Sequence, residues 1–356
     1  MSPTFYPQQD RCRYRPTRRF GRGIGTRESI LLKFGVLQFF SWPGRRGDLS
    51  TVYERALDRI RTMDSNGYDT VWLAEHHFST YSVCPSVHVM AMHAADITKN
   101  LRIGTAVSLA PFYHPLRLAE EVALLDNLTG GRINWGVGRG FDAREFRAFD
   151  VPSEESRSRL QECVDIVLKS WTEDRLTYQG KYHQIEDVEI LPKPLQNPLP
   201  HWIASSSLEA IEWSASQGHA ILMDPHASHD QIRQKYQRYT SLLEQHGHVN
   251  MQETPMARLL AIGDTPEQAE QVARSGAQWM FGSYFGAASG EGKRGSSPES
   301  RFEDYVANTI IHGTTEMVAD KLLELKESIP LNYLMAAPLS HRSFELLTYE
   351  VLPRLA

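Results

Sequence analysis

The sequence predicts an α/β fold, specifically a (β/α)8 barrel with insertions. The first observation is size, because 356 residues and 40.5 kDa suffice for one large α/β domain. The second is order: from residue 31 onward, short apolar runs alternate with segments of helical periodicity, which is typical of a parallel sheet. The third is number, because eight predicted strands and eight helices, with one further helix that closes the chain, match one barrel. An open, doubly wound sheet is the alternative.

The first half of the chain contains four predicted strand–helix units. Each strand is an apolar run without clean alternation, as expected when both faces of a parallel sheet are buried. Asn66 and Gly67 mark one helix end, Gly130 and Gly131 mark another, and Ser153 is a predicted helix cap. The predicted strands are residues 31–40, 70–73, 101–109 and 133–137, and the predicted helices are residues 49–67, 85–98, 115–128 and 153–171.

The second half repeats the alternation after a proline-rich segment. Residues 176–200 contain four prolines and predict an excursion across the surface. Residues 287–300 are charged and rich in Gly and Ser, which predicts a mobile lid before the eighth strand. The remaining predicted strands are residues 202–204, 220–223, 257–262 and 331–336, and the helices are residues 207–217, 229–246, 266–276 and 315–328, with a last helix at 343–355.

The composition excludes several classes of protein. Apolar residues make up 41% and charged residues 23%, so a chain disordered throughout is excluded. The net charge of −5 gives no reason to expect nucleic acid or an anionic membrane as a partner. No apolar run reaches the roughly 18 to 20 residues of a transmembrane helix. Cys12, Cys84 and Cys163 are too few and too scattered for a disulfide framework or a zinc ribbon, and they suit the reducing cytoplasm.

Residues 1–31 differ from the rest of the chain. They contain seven arginines and two acidic residues, a net charge of +5, so residues 32–356 must carry −10. Because this head has no apolar periodicity, we predict a disordered extension followed by a single domain at 32–356. An organelle transit segment and a start assigned too early are the alternatives.

Chemistry in a barrel lies where the strands end, and the second strand ends in Glu75-His76-His77-Phe78. Adjacent side chains on a strand point in opposite directions, so the two histidines are poorly placed to share one metal ion, and no metal is expected. One histidine directed into the mouth would serve as an acid–base group. The alternative is one histidine bonded in the core and the other on the surface.

Glycines and hydroxyls follow three further strands. Gly104, Thr105 and Ala106 end the third strand, where small residues permit either a flat ligand or tight packing of the barrel interior. The fourth strand ends in the sequence GVGRG at 136–140, and the fifth is followed by three serines at 205–207. Both segments suit a phosphate, the first through an arginine and backbone N–H groups, the second through hydroxyls and a helix terminus. A plain turn and an ordinary helix cap are the alternatives.

Several motifs stand in one order along the chain. They are KFG at 33–35, GYDTVWLAEHHF at 67–78, RIGTAV at 102–107, HPLRLAEEVALLDNLTGGR at 114–132, GVGRG at 136–140 and EILPKPLQNPLPHWIASSS at 189–207. Together they resemble the bacterial luciferase-like family of flavin-dependent monooxygenases. The resemblance covers residues 32–356. It implies a TIM barrel that binds reduced FMN from a separate flavin reductase and activates O2 through a flavin C4a-hydroperoxide.

The resemblance also assigns site residues. It places His76 beside the flavin as the proton-transfer group and implies a non-proline cis peptide at Ala106–Val107 that supports the flavin ring. The phosphate would contact the arginine of the glycine loop and hydroxyls after the fifth strand. A second arginine matches Arg157, with Arg159 possible because the register is ambiguous. The cofactor-binding residues implied are Ala106, Val107, Gly138, Arg139, Gly140, Arg157, Ser206, Ser207 and Trp279.

This sequence departs from the luciferases at two positions. Gly138 stands where the luciferase α subunit has a reactive cysteine, which makes light emission doubtful. Ser206 replaces an acidic residue, a change that should not weaken phosphate binding.

A flavin-dependent monooxygenase acting on a small organic molecule is the function that the resemblance favours. The alternatives are an F420-dependent hydride-transfer oxidoreductase on the same barrel and a non-catalytic flavin-binding protein. A homodimer and a cytoplasmic location are expected. The substrate cannot be named, although several aromatic and polar side chains are candidates to line its pocket: Phe39, Phe40, Trp42, Phe112, Tyr113 and His226.

Overall fold

The computed structural model describes residues 32–249, 253–285, 297–329 and 331–355. The predicted disorder of residues 1–31 and most of the predicted lid at 287–300 lie outside the described residues. Eight parallel strands form a ring, which confirms the predicted barrel. They are β1 (Lys33–Gln38), β2 (Thr70–Leu73), β3 (Arg102–Thr105), β4 (Ile133–Gly138), β5 (His201–Ala204), β6 (Ala220–Leu222), β7 (Pro255–Ile262) and β8 (Tyr333–Pro338).

Strand pairing closes the ring. Each strand from β1 to β5 pairs in parallel with the next, and β8 pairs with both β7 and β1. A single parallel bridge between Met223 and Met256 joins the β6 and β7 sides. The open-sheet alternative is therefore wrong. The additional strands are Ser108–Leu109 and Ile310–Gly313, which extend the sheet, and the antiparallel pair Leu176–Gln179 and Gln184–Val188 within the proline-rich excursion.

Helices connect the strands, and most of those described begin at a Ser or Thr cap. They are α1 (Leu49–Ser65), α2 (Val87–Asp96), α3 (Pro115–Leu128), α4 (Ala143–Ala148), α5 (Ser156–Thr172), α6 (Leu208–Ser216), α7 (His229–Gln245), α8 (Pro266–Met280), α9 (Pro298–Thr309), α10 (Thr315–Ser328) and α11 (His341–Leu346). Side-chain caps at Ser86, Ser207, Ser228, Thr265, Ser297, Thr314 and Ser340 satisfy first-turn N–H groups.

Some predicted bounds are wrong, and α5 gives the clearest case. Ser153 begins a short 3-10 turn, Ser153–Glu155, and the α-helix starts only at Ser156 without a side-chain cap. Helices α4 and α9 were not predicted. The first has only six residues and the second follows the predicted lid, so neither segment gives a long periodic pattern.

Large side chains fill the barrel interior, and glycines make room for them. Trp72 is fully buried, and its indole N–H donates to the Tyr333 hydroxyl at 3.1 Å. A Cβ on Gly104 would lie 2.3 Å from the Trp72 ring, and one on Gly136 would lie 2.0 Å from the Thr105 carbonyl oxygen. Packing therefore explains the small residue at 104, where the sequence left packing and ligand approach open.

Candidate active site

A cavity of about 200 Å³ lies at the mouth of the barrel, where the strands end. Side chains that follow β2, β3, β4, β5 and β6 line it, which is where (β/α)8 enzymes carry their chemistry. Most of the predicted site residues are brought together here: His76, Ala106, Val107, Gly138, Arg139, Gly140, Arg157, Ser206 and Ser207.

The side chain of His76 lines the cavity inside an aromatic frame and is 12% exposed. Its ring stacks near Phe39 with 6.5 Å between centroids and meets the edges of Tyr81 and Phe141 at 4.8 and 5.7 Å. The backbone N–H of His76 donates to the Cys84 carbonyl oxygen at 3.2 Å. The imidazole is thus held in one orientation at the edge of the cavity.

The side chain of His77 points in a different direction from that of His76, as expected for adjacent residues. Its Nε2 lies 3.0 Å from the buried carboxylate of Glu75, and its ring meets Phe149 with 4.8 Å between centroids. The hydroxyl of Tyr113 donates to the other Glu75 oxygen at 2.9 Å. Burial and the Glu75 charge raise the pKa of Tyr113, so this hydroxyl remains a donor. This group is a supporting network behind His76.

Glu145 is a residue that the sequence analysis missed. It lies on α4 and is fully buried, and its Oε1 accepts the His77 backbone N–H at 2.8 Å and lies 3.5 Å from His76 Nδ1. Its second oxygen, Oε2, is buried and has no hydrogen-bond partner. A carboxylate at this distance can hold and orient the imidazole of His76. Because α4 is short and Glu145 is 69 positions from His76, no sequence pattern links them.

The wall of the cavity at the end of β3 contains the predicted cis peptide. The peptide bond between Ala106 and Val107 is cis although its second residue is not proline, which confirms this expectation. A Cβ on Gly138 would lie 2.6 Å from Val107 Cγ2 and 3.2 Å from Ala204 Cβ, so a larger side chain would push into this wall. Gly140 has φ +76°, and a Cβ there would make only ordinary contacts, the nearest with Leu109 Cδ2 at 3.5 Å, so the backbone conformation is what requires glycine.

Arginines lie at one end of the cavity. The Nη1 atom of Arg139 donates to Ser156 Oγ at 3.3 Å. Both Arg139 and Arg157 line the cavity. Arg157 contacts Glu209 at 3.4 Å and stays 41% exposed. Arg159 instead pairs with Glu155 at 2.8 Å, away from the lining. The position of Arg157 therefore fits the predicted second arginine better than that of Arg159.

The three serines after β5 have separate environments. Ser205 is buried, and its hydroxyl lies 3.1 Å from that of Ser214. Ser207 caps α6 by accepting the Ala210 N–H at 3.3 Å, so the ordinary cap is present. Ser206 and Ser207 also line the cavity beside the first turn of α6. A helix terminus and hydroxyls thus lie beside the arginine end, as phosphate binding requires.

A buried polar cluster forms the side of the cavity near β6. His226 Nδ1 lies 2.7 Å from the Tyr305 hydroxyl, and burial lowers the pKa of His226 to about 4. Arg258, 2% exposed, donates to the backbone oxygens of Ala227 and Asp224 at 2.8 and 2.9 Å. An arginine in the middle of the apolar strand β7 was the sequence signal for this cluster. Arg258 fixes the loop that carries His226. The imidazole of His226 is neutral at pH 7.

Some of the remaining sequence candidates line this cavity and others do not. Trp279 is not among the residues that line this cavity; it lines a second cavity that shares Leu37 and Phe39 with the first. Its predicted contact with a flavin ring stays a prediction. Among the aromatic pocket candidates, Phe39 and His226 line the first cavity, whereas Phe40 is buried in the core.

The residues present fit a phosphate-bearing, flat cofactor. The donors, two guanidinium groups and two hydroxyls, lie at one end, and the apolar wall of Ala106 and Val107 lies at another. In the described part of the chain, no group of three His, Cys, Asp or Glu side chains could hold a metal ion. None of the helices in the described segments is long and apolar enough to cross a membrane.

Comparisons with known proteins agree with this fit. The family model described as luciferase-like monooxygenase matches residues 32–331. An uncharacterized protein of Sinorhizobium fredii is 34% identical over 200 residues. The match covers 56% of this chain and only 56% of the length of that relative. The alkanal monooxygenase alpha chain of Aliivibrio fischeri is 29% identical over 72% of each chain. The oxygenase component of a flavin-dependent trigonelline monooxygenase of Acinetobacter baylyi is 27% identical over 66% of each chain.

Solved structures share the fold at lower identity. A monooxygenase from Streptomyces bottropensis superposes with a TM-score of 0.81 at 24% identity, over 91% of this chain and all of its own. The oxygenating constituent of 3,6-diketocamphane monooxygenase from Pseudomonas putida, in complex with FMN, gives 0.75 at 18% identity over 92% and 99%. An F420-dependent secondary alcohol dehydrogenase gives 0.73 at 17% identity over 92% and 99%.

Proposed function

The chain belongs to the luciferase-like monooxygenase family, and from that premise we propose that it is a flavin-dependent enzyme that uses reduced FMN and O2 to oxygenate a small organic substrate. The observation that carries the proposal is the convergence of a phosphate-type donor set and an acid–base histidine on one cavity. Flavin-dependent monooxygenases among the relatives support the cofactor class. Reduced FMN, when bound, would supply the electrons that activate O2.

The cofactor phosphate would lie at the arginine end of the cavity. Arg139 and Arg157 supply positive charge, and the hydroxyls of Ser206 and Ser207 supply neutral donors beside the terminus of α6. The ring would lie against the apolar wall of Ala106 and Val107, with Gly138 allowing its close approach. The protein thereby contributes position, while the oxidation itself belongs to the flavin.

His76 would move the proton in the reaction. With Nδ1 directed toward Glu145 at 3.5 Å, Nε2 remains for proton exchange with a reacting group. The rings of Phe39, Tyr81 and Phe141 around the imidazole would limit the access of water to this end of the cavity. Exclusion of water protects activated oxygen from release as H2O2.

The test is an anaerobic titration of the full-length protein with photoreduced FMN, followed by rapid mixing with O2. A transient spectrum that differs from both reduced and oxidised FMN, and that outlasts free reduced FMN in air, would support the monooxygenase. Binding followed by immediate reoxidation would favour a non-catalytic flavin protein. No binding of FMN would require the same titration with F420, because an F420-dependent enzyme shares this fold.

Two partners belong to the same proposal. We expect reduced FMN to come from a separate flavin reductase, as the resemblance to the luciferase-like family implies. We also expect a homodimer in the cytoplasm. Sedimentation of the purified protein tests the dimer, and coupling to a purified reductase tests the supply of FMN.

A further inference from the structure

A second and larger cavity, of about 910 Å³, adjoins the first at the barrel mouth. It lies among α1, α8 and the ends of β1 and β8, and it shares the side chains of Leu37 and Phe39 with the first cavity. Its volume is within the range of small-molecule sites, and the proposed phosphate and proton-transfer residues do not line it. A molecule bound here would touch the same wall as a ring in the first cavity.

The wall formed by α1 and the preceding loop is cationic. Arg46, Arg55 and Arg59 line the cavity, and none of the described residues that line it is an aspartate or glutamate. Arg55 and Arg59 are four positions apart on α1 and therefore neighbours on its surface. None of the ion pairs between described residues includes any of these three arginines. The positive charge of this wall is thus uncompensated by a lining carboxylate.

Buried polar atoms without a partner occur on the same lining. Arg59 Nε, Trp279 Nε1 and Gln38 Oε1 are buried and make no hydrogen bond. Two of these atoms are donors, and a buried donor without an acceptor is costly. Burial lowers the pKa of Arg59, and the charge of Arg55 adds to this effect. An anion between the two arginines would offset their mutual repulsion and the desolvation of Arg59.

The rest of the lining contains neutral polar side chains, such as Ser41 and Gln271, and a continuous set of apolar ones. Val52, Met280 and Leu339 extend the surface that begins at Leu37 and Phe39. We propose that this cavity is the substrate site and that it takes an organic acid, a carboxylate or sulfonate with an apolar body. The acid group lies against Arg55 and Arg59, and the apolar body extends toward Phe39 and the first cavity. This assignment rests on the proposed function, since that function puts the oxidising cofactor in the adjoining first cavity.

The experiment measures binding of acid and neutral probes to the full-length protein without flavin. The probes are 4-phenylbutyrate, octanoate and 1-hexanesulfonate, each paired with its primary amide or sulfonamide, and binding is followed by calorimetry and ligand-observed NMR. We expect at least one acid to bind at least 10-fold more tightly than its amide. In Arg59→Gln and in Arg55→Gln, that preference should fall to less than 3-fold.

Arg61→Gln is the matched control, because Arg61 is on the same helix, exposed and paired with Asp58 at 2.8 Å. It should keep the preference for the acid. Arg59→Lys, which keeps the charge and loses Nε, should retain part of it and serves if Arg59→Gln does not fold. The proposal is overturned if no acid binds better than its amide, or if the preference survives in both glutamine variants.

FMN binding is measured in parallel on the same variants. Unchanged FMN affinity in Arg59→Gln is expected, and a matching loss would move Arg59 into the cofactor site and overturn the substrate assignment. Because the probes are measured without flavin, a protein that binds acids but not FMN would refute the proposed function while leaving the anion site intact. A protein that binds FMN but no acid would do the reverse.

Discussion

Two pairs of histidines lie at opposite ends of the barrel strands, and their surroundings differ. At the end of β2, His76 lies 3.5 Å from the buried carboxylate of Glu145, and His77 lies 3.0 Å from that of Glu75. Each imidazole at the mouth therefore has its own acidic partner. A carboxylate beside an imidazole fixes the orientation of the ring.

At the start of β5 and β6 the arrangement is reversed. His201 Nε2 lies 3.2 Å from His219 Nδ1, so the imidazoles contact each other. Burial lowers the pKa of both, and the second imidazole helps to lower that of His219, to about 4. This pair is neutral at pH 7 and serves packing. The comparison indicates that partner chemistry, and not the presence of histidines, separates the candidate acid–base site from a structural pair.

The largest effect is expected at the mouth. His76→Ala should lower oxygen-dependent turnover by roughly 10²- to 10⁴-fold, because that is the usual contribution of a general acid–base group. The FMN dissociation constant, measured by flavin fluorescence, should stay within a few-fold. His219→Asn is the matched control at the other end of the barrel and should leave turnover unchanged. Equal loss in both variants, or none in His76→Ala, would contradict the distinction between the pairs.

A smaller effect is expected at the phosphate end of the cavity. Arg139→Ala should weaken FMN binding by about 1.5–3 kcal/mol, the contribution of one hydrogen bond to a charged group. Riboflavin, which lacks the phosphate, should bind both proteins equally. Arg159→Ala is the control, since Arg159 pairs with Glu155 and does not line the cavity. A loss of riboflavin affinity equal to that of FMN would reject the phosphate contact.

The sequence predicted the barrel because each strand–helix unit carries its own signal. Apolar runs, caps and glycine stops are local, so all eight barrel strands overlap their predicted ranges. The predicted residues at strand ends converge on one cavity because parallel strands bring their carboxyl ends together. Resemblance supplied what local patterns cannot, such as the cis bond at Ala106–Val107.

Local sequence patterns could not predict contacts between elements that are distant in the chain. Glu145 reaches His76 from a six-residue helix that has too few residues to show periodicity. The glycine at 104 could have served a ligand or a neighbour, and only the position of Trp72 decides between them. Trp279 lines the adjacent cavity, and its contact with a flavin ring stays a prediction.

Glu145 provides the next test of the comparison. Glu145→Gln keeps the size of the side chain and an oxygen that can accept the His77 N–H, but it removes the charge beside His76. We expect about a 10-fold loss of turnover, near 1.4 kcal/mol, because the orientation of His76 is weakened while the imidazole itself remains. Unchanged turnover would make Glu145 a packing residue only.

The last effect concerns stability in acid and leaves turnover unchanged. Because the folded-state pKa of His219 is about 4 and the unfolded value is near 6.5, the unfolded state binds a proton first as the pH falls. The free energy of unfolding should therefore fall between about pH 6.5 and 4, by at most about 1.4 kcal/mol per pH unit for this histidine. His219→Asn should lower that slope in urea unfolding series, whereas Asn at the exposed His341 should not. Parallel curves for wild type and His219→Asn would mean that the pair at the strand starts is not held neutral by burial, and the contrast with the mouth would be lost.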